Sequence, residues 1–246
     1  MNPFELTTKK VLITGASSGI GRATAIVCSQ LGAEVYITGR NATELTQTFE
    51  SLTVGNHKMI IADLTDNNAI EGLLVQLPVL DAVVQNAGIN HRMLTQYIKE
   101  EEMGNVLLTN LIAPINLTKL LLKQKKINRG ASVVFMSSIA AFHSSIGDGI
   151  YSATKGGISS YAKVLALELA SKQIRVNTVQ PGMVKTGLTN HGPLSDEEYS
   201  KDEQRYPLGR YGKADEIAYA IVYLISDASK WVTGTDLKID GGISLI

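Results

Sequence analysis

The feature that most constrains this chain is a regular alternation of short apolar runs with longer amphipathic stretches. Seven runs are rich in β-branched or other apolar side chains, as buried strands are: Val11–Thr14, Glu34–Thr38, His57–Ala62, Ala82–Gln85, Ser132–Met136, Ile174–Val179 and Thr235–Ile239. Between them, apolar residues return at helical spacing around 20–31, 106–121, 151–170 and 214–225. Strands that alternate with helices form βαβ units, so the pattern predicts a mostly parallel sheet covered on both faces.

Right-handed crossovers between such units wind a sheet in two directions from its middle. We therefore expect an α/β fold with one Rossmann-type, doubly wound parallel sheet of about seven strands and helices on both faces. No repeat, low-complexity tract or linker interrupts residues 1–246, so we expect them to form a single domain. Ligands of such sheets bind beyond the carboxyl ends of the strands.

Charge and composition argue against several classes of function. Lys+Arg and Asp+Glu both number 23, and without a basic run we expect no nucleic-acid partner and no membrane binding. No stretch of 18 consecutive apolar residues or signal peptide is visible, which predicts a cytoplasmic protein. The single cysteine, Cys28, and four scattered histidines predict neither an intrachain disulfide nor a metal site.

A glycine-rich turn follows the first predicted strand and begins the first predicted helix, with the sequence Thr14-Gly15-Ala16-Ser17-Ser18-Gly19-Ile20-Gly21. Gly15 allows a sharp turn, while Gly19 and Gly21 let the helix and the backbone approach closely. The free N–H groups and helix dipole of such a turn attract a pyrophosphate. A tight strand-to-helix turn without a ligand is the alternative interpretation.

Two hydroxyl groups and one amine are predicted to converge at the carboxyl edge of the sheet. Tyr151 and Lys155 are four residues apart in a helical pattern, so both side chains lie on one face. Ser137 and Ser138 end the apolar strand before that helix. A hydroxyl at a strand end is otherwise an ordinary turn residue.

Asn110 lies in the middle of a predicted helix, four residues before Pro114. Because proline has no N–H to bond the Asn110 carbonyl, that carbonyl can accept a hydrogen bond from water. A simple helix kink in a packed core, or a buried amide whose hydrogen bonds are satisfied, are the alternatives.

Taken together and in order, these pieces resemble the short-chain dehydrogenase/reductase family, over essentially the whole chain. The matching pieces are Thr14–Gly21, Asp63-Leu64, Asn86-Ala87-Gly88, Asn110, Ser138, Tyr151-Ser-Ala-Thr-Lys155, Pro181-Gly182 and Asp240-Gly241-Gly242. One departure is Gln85, where the family often has a second asparagine. 3-Oxoacyl-[acyl-carrier-protein] reductases and sugar or polyol dehydrogenases are the most similar branches, and the sequence does not choose between their substrates.

The resemblance implies a hydride transfer between a nicotinamide cofactor and a carbonyl or secondary alcohol. It implies that Tyr151 is the general acid or base and that Lys155 lowers the pKa of Tyr151 and bonds the nicotinamide ribose. It further implies that Ser138 holds the substrate oxygen and that Asn110 positions a water. The cofactor-binding residues implied are the turn residues Gly15, Ser17, Ser18, Gly19, Ile20 and Gly21, with Asp63 and Leu64 by the adenine, Asn86, Ala87 and Gly88 by its ribose, and Pro181, Gly182, Val184 and Thr186 by the nicotinamide.

The end of the second predicted strand favours NADP(H), with NAD(H) as the alternative cofactor. An NAD-selective site usually places an acidic residue there, but this chain has Thr38-Gly39-Arg40-Asn41. With no carboxylate to repel a 2′-phosphate, Arg40 is expected to bind that phosphate. A solvated turn arginine is the alternative, and Ser18 occupies a position where some NADP enzymes carry a second basic residue.

Three further expectations concern the rest of the molecule. The resemblance implies that the polar stretch 187–207 covers the substrate, with a solvated surface hairpin as the alternative. The resemblance implies a homotetramer that associates through the helix Tyr151–Ala170, where Gly156, Gly157 and Ala166 would allow close approach, and through the apolar C-terminus.

A catalytically silent dinucleotide-binding or scaffold protein on the same fold is the competing function, although the complete set Asn110, Ser138, Tyr151 and Lys155 favours an enzyme.

Overall fold

A computed structural model describes residues 2–186 and 196–246. The strands are β1 (Lys10–Thr14), β2 (Glu34–Gly39), β3 (Lys58–Ile61), β4 (Leu80–Gln85), β5 (Ile127–Met136), β6 (Arg175–Pro181), β7 (Val184–Lys185), β8 (Gly212–Lys213) and β9 (Asp236–Ile239). The helices are α1 (Gly19–Gln30), α2 (Ala42–Glu50), α3 (Asn67–Gln76), α4 (Glu100–Leu107), α5 (Ala113–Lys123), α6 (Gly149–Leu169), α7 (Asp196–Glu203) and α8 (Ala214–Ile225).

Seven of these strands form one parallel sheet in the order β3-β2-β1-β4-β5-β6-β9, which confirms the predicted doubly wound Rossmann-type fold. The chain runs outward from β1 in one direction and, from β4, in the other, so β1 and β4 flank the switch point. Consecutive side chains of a strand point to opposite faces, and in β5 Val133 and Phe135 join one core while Val134 and Met136 join the other. Helices α5 and α6 cover the first face, and α1 and α8 cover the second.

Several boundaries differ from the sequence-based expectations. The predicted strand His57–Ala62 is shortened to Lys58–Ile61. At its start, β2 is met by the His57 side chain, whose Nδ1 atom accepts from the Val35 N–H at 3.1 Å. Strand β5 begins at Ile127, five residues early, because Ile127 pairs with Leu80 ahead of a register shift. Helices α2 and α3 were not among the helices predicted, since both are short.

The stretch from α4 to α5 is one continuous helix with a π-helical turn at Leu108–Ile112. Its length and composition would also suit a membrane span, but Leu117 and Leu121 are fully buried in the core against the sheet. Long apolar core helices of globular proteins have the same length and composition, so these two features are weak evidence for a membrane span. The π turn lies directly before Pro114, which accounts for the interruption predicted there.

Candidate active site

The glycine-rich turn lies between β1 and α1, at the switch point of the sheet. Gly15 and Gly19 have φ values of +62° and +54°, a region that favours glycine. A Cβ added to Gly15 would lie 2.7 Å from the Ala87 Cα atom, and one added to Gly21 would overlap the Gly15 carbonyl oxygen. The turn therefore presents backbone without side chains, as the close approach of a phosphate requires.

The first turn of α1 begins without a side-chain cap. Ser18 occupies the N-cap position with an extended backbone, but its side chain makes no capping hydrogen bond. Ser17 lies against Gly39, and its carbonyl accepts from Arg22 Nη2 at 2.5 Å. Ile20 packs partly buried on the core. This arrangement of a bare turn and an uncapped helix start fits a pyrophosphate.

The segment Asn86–Gly88 follows β4 and is pinned to the glycine turn. The Thr14 hydroxyl accepts from the Asn86 and Ala87 N–H groups, both at 3.0 Å, and the Asn86 amide donates to the Thr14 and Gly15 carbonyls at 3.1 Å. This structural role of the Thr14 side chain was not predicted. The signal that could have indicated it is the location of Thr14, a polar residue, at the end of a central strand.

The catalytic candidates Ser138, Tyr151 and Lys155 are brought together as predicted. The Ser138 hydroxyl is a hydrogen-bond partner of the Tyr151 hydroxyl. The Lys155 ammonium lies 5.5 Å from the centroid of the Tyr151 ring and donates to the Met136 carbonyl at 2.8 Å. A Cβ on Gly88 would lie 3.5 Å from Lys155 Nζ, so the segment Asn86–Gly88 borders this group directly.

Burial controls the electrostatics of this group. Burial raises the pKa of Tyr151, the Ser138 hydrogen bond lowers it, and the Asp148 carboxylate raises it further. Burial also lowers the pKa of Lys155 to about 8. The sequence predicted that Lys155 lowers the pKa of Tyr151, whereas the net direction in the protein itself is upward, because desolvation of the phenolate dominates. A phenol held in its neutral form can donate a proton.

Asn110 lies in the π turn and is buried. Its side-chain amide donates to the Ile89 carbonyl and accepts from the Ile89 N–H, both at 2.8 Å. A weaker contact of 3.4 Å reaches the Thr154 hydroxyl. The interpretation as a satisfied buried amide is therefore correct for the side chain, and only the backbone carbonyl, to which Pro114 offers no N–H, is left to hold a water.

A buried hydrogen-bond network that joins α6 to the sheet was missed by sequence reasoning. The Ser137 hydroxyl donates to the Lys155 carbonyl at 2.9 Å and lies 2.9 Å from the Ser159 hydroxyl, which accepts from the Gln180 amide at 3.2 Å. Gln85 bonds α5 through Thr118 Oγ1 at 3.2 Å, so it points away from the glycine turn, as expected for the one departing position. These contacts attach α6 to β5 and β6, and α5 to β4.

Arg40 and Asp63 follow β2 and β3 at the outer end of the site. Arg40 Nη1 lies 3.8 Å from Asp63 Oδ2, and both side chains are exposed to solvent. Burial alone would raise the pKa of Asp63, but hydrogen bonds from Thr65 and the charge of Arg40 hold it below its usual value. The expectation that no carboxylate stands near the Arg40 site is therefore wrong, because β2 and β3 are neighbours. Leu64 packs partly buried on the core.

The segment from Pro181 to Thr186 returns to the glycine turn. The Gly182 N–H donates to the Ile239 carbonyl at 3.0 Å, and Val184 pairs with Gly212 in the small β7–β8 sheet. Thr186 Cγ2 would lie 3.2 Å from a Cβ on Gly19. Of the predicted cover 187–207, residues 187–195 lie outside the described residues, and α7 begins directly after them. That cover remains a prediction.

The sheet order, the glycine turn and the site at the switch point define a Rossmann-type α/β protein. A family model described as "Enoyl-(Acyl carrier protein) reductase", within the short-chain dehydrogenases/reductases, matches residues 15–244. The chain is 34% identical to the 3-oxoacyl-[acyl-carrier-protein] reductase FabG of Rickettsia conorii over 99% of this chain and 100% of that one. The chain therefore belongs to the short-chain dehydrogenase/reductase family and is an oxidoreductase.

Two solved structures show the same fold over the whole chain. A proposed gluconate dehydrogenase from Agrobacterium tumefaciens matches with a TM-score of 0.92 at 27% identity, covering 100% of both chains. A proposed 2-deoxy-D-gluconate 3-dehydrogenase from the same organism, with bound NADP, matches with a TM-score of 0.89 at 32% identity, again covering 100% of both. The names of these similar proteins thus point to two substrate classes, acyl thioesters and sugar acids.

Proposed function

We propose that this protein transfers a hydride between NADP(H) and a carbonyl or secondary alcohol, with Tyr151 as general acid and base. The observation that carries the proposal is the grouping of the Tyr151 hydroxyl, whose pKa a Ser138 hydrogen bond lowers, with the buried Lys155 ammonium, 5.5 Å from the Tyr151 ring centroid. The presence of NADP in a similar structure supports the phosphorylated cofactor, and NAD(H) is the alternative.

When bound, NADPH supplies the hydride that the carbonyl carbon receives. The Ser138 hydroxyl holds the carbonyl oxygen, and the Tyr151 hydroxyl gives that oxygen its proton. The raised pKa of Tyr151 keeps the phenol protonated at neutral pH, which suits the reductive direction. In the oxidative direction the Tyr151 phenolate takes the proton back from the alcohol.

Lys155 serves two partners in this proposal. Its ammonium stabilises the Tyr151 phenolate that proton donation leaves behind, and it bonds the ribose of the nicotinamide half. The Asn110 carbonyl holds a water through which the proton on Tyr151 is replaced. A Cβ on Gly88 would lie 3.2 Å from Asn110 Oδ1 and 3.5 Å from Lys155 Nζ, so the two residues are neighbours, which supports a relay between them.

The remaining predicted residues divide the cofactor among them. Residues 15–21 hold the pyrophosphate, Arg40 the 2′-phosphate, and residues 181–186 the nicotinamide. Asp63 and Leu64 lie by the adenine, Asn86–Gly88 lie by its ribose, and residues 187–207 cover the substrate. The convergence of the turn, Asn86 and Thr186 around Gly15 and Gly19 supports this division.

We further propose a cytoplasmic homotetramer that forms through α6 and the C-terminus. Val164 and Leu167 on α6 are 56% and 80% exposed, and Ile246 is 76% exposed, a combination typical of an interface. Two residues that were expected at this interface are instead packed within one chain: Gly157 lies against Leu111, and Ala166 is buried. Light scattering at micromolar concentration should give four times the chain mass, and a monomer mass would contradict the proposal.

Consumption of NADPH by the purified protein with a panel of ketones tests the proposed activity. Tyr151→Phe should lower the rate by 10²–10⁴-fold while NADPH binding stays close to that of the wild type, because only proton transfer is removed. Tyr219→Phe, at an exposed site on α8, is the matched control. NADPH binding without turnover of any ketone would favour the silent dinucleotide-binding alternative.

A further inference from the structure

Arg92 and Asp148 form a charged pair beside Tyr151, and neither of them transfers a proton in the proposed mechanism. Asp148 lies one helical turn before Tyr151 and is close enough for its charge to act on the Tyr151 hydroxyl. Although Asp148 occupies the N-cap position of α6, its side chain makes no capping hydrogen bond. Its Oδ1 atom is buried and receives no hydrogen bond from the residues that the structure describes. A buried carboxylate oxygen without a donor is costly, which points to a donor from outside the chain.

Arg92 supplies the second half of the pair. Its Nε atom lies 3.9 Å from Asp148 Oδ1, which is too long for a hydrogen bond, and donates instead to the Ile146 carbonyl at 3.0 Å. The Arg92 side chain is 58% exposed. The guanidinium therefore reaches solvent beside Asp148.

Backbone contacts fix the position of this arginine. The Met93 N–H donates to the Gly147 carbonyl at 2.9 Å, which clips the loop after β4 to the loop before α6. Gly147 has a φ of +87°, and a Cβ there would lie 3.0 Å from Arg92 Cγ. The Arg92 stem therefore packs against bare backbone, and a guanidinium held in this way loses little freedom on binding an anion.

We propose that Arg92 and Asp148 form a substrate subsite beside Tyr151 that binds a polyhydroxylated carboxylic acid. Arg92 binds the carboxylate of such a substrate, and Asp148 accepts a hydrogen bond from one of its hydroxyl groups. The inference rests on the proposed function, since it places the reacting carbon at Tyr151. A hydrocarbon acyl chain offers neither group and would bring apolar surface against two charges. The subsite thus favours the sugar-acid class over acyl thioesters.

Three six-carbon probes separate the two contacts. Isothermal titration of the protein saturated with NADPH, which cannot oxidise an alcohol, would compare D-gluconate with sorbitol, which lacks the carboxylate, and with hexanoate, which lacks the hydroxyls. We expect gluconate to bind at least about tenfold more tightly than either, because each contact involves a charged group.

Variants assign the contacts to residues. Arg92→Met should remove the advantage of gluconate over sorbitol, and Asp148→Asn should reduce its advantage over hexanoate, because the variant side chain keeps its size and loses its charge. Arg129→Met and Asp227→Asn, exposed or half-exposed charges near the amino ends of β5 and β1, are the matched controls and should change neither ratio.

Equal or undetectable binding of the three probes by the wild type, or a gluconate advantage that survives both variants, would overturn the subsite. The proposed function is judged separately by the Tyr151→Phe rate. If ketone reduction depends on Tyr151 but the three probes bind equally, only the subsite proposal is contradicted. A Tyr151→Phe variant with an unchanged rate would overturn the catalytic proposal whatever the probes show.

Discussion

The two ends of the proposed cofactor cleft differ in how their polar groups are held. At the catalytic end, Lys155 and Asn110 are 4% and 2% exposed, and each bonds the backbone of another element. At the adenosine end, the Arg40 and Asp63 side chains are 59% and 42% exposed and only 3.8 Å apart.

This difference indicates which properties of the site are rigid and which are tunable. A buried polar group without a partner costs much free energy, so the catalytic end must provide its own hydrogen bonds and thereby acquires one geometry. Exposed charges compete with water and gain little from one another. Catalysis should therefore depend steeply on single residues of the buried end, while cofactor preference should respond more gently to residues of the exposed end.

The largest effect is expected for Lys155→Met, which removes the ammonium proposed to serve both proton transfer and the cofactor. Turnover should fall by 10²–10⁴-fold, as when a group that assists proton transfer is lost. NADPH affinity should fall as well, unlike in Tyr151→Phe. Rate measurements and a fluorescence titration with NADPH would test both, with the exposed Lys172→Met as control. Unchanged NADPH binding would remove the ribose contact from the proposal.

The same lysine should give stability a particular pH dependence. Burial lowers its pKa from 10.5 to about 8 in the folded chain, so between those values the unfolded chain binds more protons. The free energy of unfolding of the wild type, relative to that of Lys155→Met, should therefore rise with pH across this window, by up to about 3 kcal/mol. Urea unfolding of both proteins without cofactor, from pH 7 to 10.5, measures the difference. A difference that stays flat or falls would contradict a lowered pKa of the buried Lys155 ammonium.

The glycine turn connects the two ends, and Gly21→Ala tests how tightly it is packed. The new Cβ would overlap the Gly15 carbonyl and crowd the Asn86 amide. Such overpacking costs about 1–3 kcal/mol and should displace the backbone that is proposed to bind the pyrophosphate. Both the melting temperature and NADPH affinity should fall. Gly72→Ala in α3, where nothing lies within 4 Å of the new methyl group, should instead stabilise by about 0.5–1 kcal/mol.

The smallest effect is expected at the exposed end. Arg40→Ala should lower kcat/KM with NADPH by about tenfold and leave NADH almost unchanged, because only the phosphorylated cofactor loses a charge-assisted contact. Asp63→Asn should shift the ratio slightly toward NADPH by removing the neighbouring negative charge. Arg129→Ala is the control. Equal efficiencies in the wild type, or a preference that survives Arg40→Ala, would contradict the assignment.

Features that depend on spacing within one element were predicted well from the sequence. The strand order along the chain, the turn from Gly15 to Gly21 and the placement of Tyr151 and Lys155 on one helical face follow from local periodicity. A helix irregularity near Asn110 was also anticipated, because Pro114 removes a specific backbone donor, but its form as a π turn was not. The strand bounds were less accurate, since the pairing of Ile127 with Leu80 depends on the neighbouring strand.

Contacts between distant elements were decided only by the tertiary structure. The bonds from Asn110 to Ile89 and from Lys155 to the Met136 carbonyl, the approach of Asp63 to Arg40, and the pair of Arg92 with Asp148 all join segments that share no sequence pattern. The physical reason is that sequence determines which face of its own element a side chain occupies. Which partner it meets there depends on strand order and on how the loops at the carboxyl edge of the sheet pack together.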